Sequence, residues 1–119
     1  MRRTFLAVLI LAACRHGAYY EQSRVPKDCG QPHIVCIDAA TLAPSPDPIH
    51  LTYGTWGHFF LSSGSDELTI ESSVFDNKDH SDGHAWGHVR KDAQPGQYKY
   101  SIIDTTTGRR NDPTIIIDP

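Results

Sequence analysis

Apolar and polar residues alternate in short runs through most of this chain, with a period of two rather than of three to four. His33-Ile34-Val35-Cys36-Ile37 is a compact, β-branched run. Ile49, Leu51 and Tyr53 alternate with His50 and Thr52, as in a strand with one buried face. His58-Phe59-Phe60-Leu61 follows a turn at Gly54 to Gly57, and Leu68 and Ile70 alternate with Glu67, Thr69 and Glu71. Ala85 to Arg90 and Thr114-Ile115-Ile116-Ile117 read as further strands, and Tyr98, Tyr100 and Ile102 share one face of another. Turn signals separate these runs. Pro44-Ser45-Pro46-Asp47-Pro48 is rigid and cannot join a central strand. Residues 76–83 (DNKDHSDG) read as a polar loop. Gln94-Pro95-Gly96-Gln97 suits a type II turn, and Thr105-Thr106-Thr107-Gly108 turns the chain again. No segment after residue 13 carries a helical stripe. The pattern predicts an all-β fold: one small antiparallel β-sandwich of Greek-key type over residues 33–119.

The first fourteen residues follow a different rule. Arg2 and Arg3 lead into Thr4-Phe5-Leu6-Ala7-Val8-Leu9-Ile10, which closes on Leu11-Ala12-Ala13-Cys14. A positive start, a short apolar run and small residues before a cleavage point are the parts of an export signal. The apolar run is about half the length that a membrane-spanning helix needs. With a cysteine after the small pair, the segment resembles a bacterial lipoprotein signal with its lipobox. Arg2-Arg3-Thr4-Phe5-Leu6 also resembles the core of a twin-arginine export motif, with only Met1 before it. The lipobox resemblance implies that residues 1–13 are a signal peptide removed before Cys14, and that Cys14 is lipidated. Arg15 follows Cys14 where an aspartate often retains lipoproteins in the inner membrane. The implied location is the outer membrane, with the domain facing the periplasm. Residues 14–32 form a lipidated N-terminus and tether, interrupted by Gly17, Pro26, Gly30 and Pro32.

Composition narrows the function classes. Removing thirteen residues from 119 leaves 106, enough for one domain. It also leaves nine basic against fourteen acidic residues, a formal charge of −5 with neutral histidines. Such a balance has no electrostatic footprint for nucleic acid. With Cys14 assigned to lipid, Cys29 and Cys36 remain as a pair in an oxidising compartment. A disulfide closing that short loop contributes roughly 2–3 kcal/mol on the chain-entropy account. A metal-thiolate pair is the competing reading, although C-x6-C is not a usual ligand spacing.

Pro95-Gly96-Gln97-Tyr98-Lys99-Tyr100 resembles the P-G-x-Y-x-Y/F segment of cupredoxin-like sandwiches. The resemblance covers about the last twenty-five residues, and the same turn occurs in immunoglobulin-like sandwiches. It implies a cupredoxin-like or immunoglobulin-like strand order. In copper-binding members the segment runs on to a cysteine, then a histidine and usually a methionine. Here the cysteine position falls on Ile102, no histidine follows His88, and Met1 is the one methionine. The residues for a type 1 copper site are missing.

The one enrichment with coordination chemistry is His80, His84 and His88, with Asp76, Asp79 and Asp82 beside them. On a helix the three imidazoles would line one face and hold zinc, copper or nickel. Gly83 and Gly87 argue against that helix. On a strand, His84 and His88 share a face but stand about 13 Å apart at roughly 3.3 Å per residue. A metal site would then need a loop around His80, or a cross-strand partner such as His50 or His58. The aspartates lack EF-hand spacing. Ser62-Ser63-Gly64-Ser65 lacks the G-x-S-x-G frame of a nucleophile elbow and reads as a turn. Glu67 and Glu71 alternate outward as a wet strand face rather than as a glycosidase pair. Trp56 and Trp86 fit core packing, or else a sugar-stacking platform.

With no catalytic constellation, the expected function is non-catalytic. The chain reads as a lipid-anchored cell-envelope protein whose sandwich binds another protein or plays a structural part. The alternative is periplasmic capture of copper or zinc by the His80/His84/His88 loop.

Overall fold

Period-two alternation leaves one face of each strand to be buried, and without a helix among the described residues that face is buried against another sheet. The computed structural model describes residues 29–119, which hold eleven strands and no helix. The expected signal segment 1–13, the expected lipidation at Cys14 and residues 14–28 of the expected tether 14–32 lie outside the described residues. The strands are β1 (Ile34–Ile37), β2 (Pro44–Ser45), β3 (Ile49–Thr52), β4 (Trp56–Leu61) and β5 (Leu68–Glu71). They continue with β6 (Phe75–Ser81), β7 (His84–Val89), β8 (Gly96–Lys99), β9 (Ser101–Asp104), β10 (Arg109–Asn111) and β11 (Thr114–Asp118).

Three sheets result. Five strands pair in the order β2-β1-β4-β7-β6, and two three-stranded sheets run β10-β9-β5 and β3-β11-β8. The chain passes from β8 into β9 through Tyr100, which links the two smaller sheets. Val35, Ile37, Phe59, Leu61, Ala85 and Val89 project from the inner face of the large sheet. They join Ile49, Leu51, Leu68, Ile70, Tyr100, Ile102, Ile115 and Ile117 in one core. Burying each of the larger of these side chains is worth roughly 1.5–3 kcal/mol. Phe59 and Tyr100 meet across the layers with ring centroids 5.4 Å apart. The all-β expectation therefore holds.

Two pairings are parallel, β1 with β4 and β3 with β11. Alternation records which face of a strand is buried and says nothing of its direction, so it cannot show this. Pro44 does pair, but on the two-residue edge strand β2, where a missing N–H is tolerated.

The polar stretch 76–83 is a correction. Most of it is strand β6, at the other edge of the large sheet. Its side chains from Asp76 to Asp79 are exposed, so no hydrophobic alternation marks it. Backbone pairing with β7 alone places it there.

Gly57 and Gly87 face each other across β4 and β7. A Cβ at Gly87 would lie 2.8–2.9 Å from three carbons of the Phe75 ring. Glycine is needed there because that ring lies against the strand, not because of the backbone angle.

Candidate functional site

The outer face of the large sheet follows from the β4–β7 register. Trp56 pairs with His88, His58 with Trp86, and Phe60 with His84. Since alternate residues share a face, all six rings project outward in two rows of three. Each cross-strand pair contains one imidazole. Five of the rings are half-buried, and Trp56 is 39% exposed. On the β1 side Ile34 pairs with His58 and Cys36 with Phe60. Cys36 and Cys29 are at disulfide distance, with Cα atoms 5.4 Å apart. This pair ties the start of the described chain to the border of the aromatic face.

The rings pack closely. Phe60 stacks on His84 at 4.1 Å and 8°, and Trp86 leans on the same imidazole at 4.6 Å. Trp56 leans on His88 at 4.9 Å. Both indoles thus lie outside the core, each against an imidazole. His58 Nδ1 lies 3.2 Å from His84 Nε2, so one ring donates its N–H to the lone pair of the other. Burial pushes the His84 imidazole down to about 4, helped by the neighbouring His58 ring. Burial also lowers His58, helped by His33. Protonation of either ring would put a charge among aromatic neighbours, so the pair is uncharged at neutral pH.

The other histidines face carboxylates. His88 Nδ1 and Asp76 Oδ1 are 2.8 Å apart, as are His80 Nε2 and Glu67 Oε2. His50 Nδ1 lies 3.0 Å from Asp118 Oδ1. The hydrogen bond from His80, with a second from Thr105, holds the Glu67 carboxyl below its ordinary range.

His80, His84 and His88 are therefore not brought together. His80 bonds to Glu67, His88 bonds to Asp76, and His84 belongs with His58. Among the described residues, no group of three or more His, Cys, Asp or Glu side chains is placed to hold one ion. The partners that spacing in sequence pointed to are thus replaced by a partner 26 residues away. A signal for it existed. W-x-H-x-F over 56–60 and H-x-W-x-H over 84–88 are two period-two aromatic runs, and antiparallel pairing lays them side by side.

No protein-family model, curated protein or solved structure matches the chain.

Proposed function

We propose that this protein is a lipid-anchored cell-envelope component whose β-sandwich binds another protein, without catalysis, through the outer face of β4 and β7. One observation carries the docking part. Six aromatic rings cover a contiguous surface around the partly exposed Trp56, with the uncharged His58–His84 pair among them. Interface centres are enriched in aromatic residues and depleted in charge. Asp76 and Asp79 on β6 border this face with exposed carboxylates. The complementary partner is a protein surface with an apolar centre and a basic rim on the β6 side. The anchoring part rests on Arg2, Arg3, the apolar run 4–10 and Cys14.

Two experiments test the reading. Photo-crosslinking groups placed at Trp56 or Trp86 in cells should trap one defined envelope protein, while a group at Thr107 should not. Once that partner is purified, Trp56→Ala should weaken binding by roughly tenfold or more, as expected of a central aromatic anchor. Equal trapping from Thr107, or unchanged affinity for Trp56→Ala, removes the docking role of this face. For the anchor, Cys14→Ser should abolish incorporation of labelled fatty acid. Normal labelling of that variant contradicts lipidation at Cys14.

A further inference from the structure

The His58–His84 contact has a geometry that a hydrogen bond does not exhaust. With bonds of about 2.0–2.1 Å, two imidazole nitrogens on one tetrahedral zinc ion stand roughly 3.3–3.4 Å apart. Two nitrogens at right angles on a square-planar ion with similar bonds stand only about 2.8–3.0 Å apart. The observed separation of 3.2 Å is closer to the tetrahedral edge.

We infer that His58 Nδ1 and His84 Nε2 form a two-imidazole site for a tetrahedral d10 cation, Zn2+ foremost, which takes the place of the hydrogen bond between them.

The surrounding rings make the site ready to bind. Phe60 lies flat on His84, Trp86 leans on it from the same strand, and Phe60 lies within 6.3 Å of His58. Both imidazoles are held before any ion arrives, so little side-chain freedom remains to be lost on binding. The pair sits on the outer face of the sheet and is only half-buried, so an ion reaches it without opening the core. Coordination balances simply. The ring that donates its N–H moves that proton to its other nitrogen, and two neutral imidazoles then present two lone pairs. No net proton release is required. The ion keeps two coordination positions for water, or for a donor atom brought by a molecule bound on the same face.

His50, His80 and His88 each direct a ring nitrogen at a carboxylate oxygen rather than at a second imidazole. The inference does not depend on the docking role of the face, because it concerns the protein alone.

Zinc titration of the full-length chain in detergent, followed by calorimetry, tests it. Saturable uptake of one Zn2+ per chain is expected. His58→Ala and His84→Ala should each lose roughly tenfold or more in affinity, while His80→Ala and His88→Ala stay within about twofold. Should either central variant fold poorly, imidazole nitrogen spectra of the wild-type chain decide. Zn2+ should move the ring nitrogens of His58 and His84 before those of His50, His80 and His88. Absence of saturable uptake, or zinc-dependent shifts confined to the carboxylate-paired histidines, overturns the site.

Discussion

His84 and His88 stand four residues apart on β7 and project from the same face, each against an aromatic residue of β4, yet their polar partners differ in kind. His84 faces Phe60, Trp86 and another imidazole, with its charged form disfavoured by burial. His88 meets the carboxylate of Asp76 on the polar edge strand β6. The difference comes from where the cross-strand register places each ring. On the β4 side both rings meet an aromatic residue, whereas on the β6 side His84 is paired with Ser81 and His88 with Asn77, beside the bulge that carries Asp76. One residue type thus serves as an uncharged ring paired with another imidazole in the first place and as the hydrogen-bond partner of a carboxylate in the second.

The largest effect should come from breaking the strand that carries both. Gly87→Ala drives a methyl into the Phe75 ring and should cost about 1–3 kcal/mol, read as a lower melting temperature. Wild-type stability for that variant would mean that Phe75 slides freely and that the glycine pair does not fix the face.

Acid should separate the two regions next. For the metal-free protein, the unfolded chain takes up a proton on His84 near 6.5, whereas the folded chain refuses it until about 4. Unfolding therefore binds more protons across that window, and stability falls as the pH drops through it. The loss should be about 1–2 kcal/mol after discounting for the half-exposed ring. Thermal melts of His84→Phe, which keeps a ring on Phe60, should flatten over the same range. The rim behaves differently. Glu67 is held below its ordinary 4.5 by His80, so its contribution is intact above that value and goes only as the pH falls through the lowered one. A wild-type melting curve that stays flat from 6.5 down to 4.5 would erase the distinction.

The smallest effect belongs to the rim pairs. Asp76→Asn should change stability by about 0.2–1 kcal/mol, since the carboxylate is partly exposed. A much larger loss in urea titration would show that the rim, too, is part of the stabilising core.

Much of this fold was legible along the chain, and the illegible parts share a cause. Ile49–Thr52 and Leu68–Glu71 bury one face each and carry a period of two in sequence, whereas Ile34–Ile37 and Thr114–Asp118 bury one face each but show as continuous β-branched runs. The Cys29–Cys36 pair followed from counting cysteines. Strand β6 did not show itself, because an edge held by backbone hydrogen bonds places no demand on side chains. For the same reason alternation was silent on the parallel pairing of β1 with β4. The His80/His84/His88 grouping was drawn from spacing within one segment, whereas the sheet selects neighbours across strands. Cross-strand partners for the histidines were foreseeable as a class, and only the register made His58 the one for His84.

The uncharged character of the His58–His84 pair on the β4–β7 face is the central claim, and His84 reports on it most directly. Following its imidazole resonances by NMR through a pH titration of the metal-free protein should give a midpoint of about 4. A midpoint near 6.5 would contradict the account, because burial among the aromatic rings would then place no penalty on the charged imidazole.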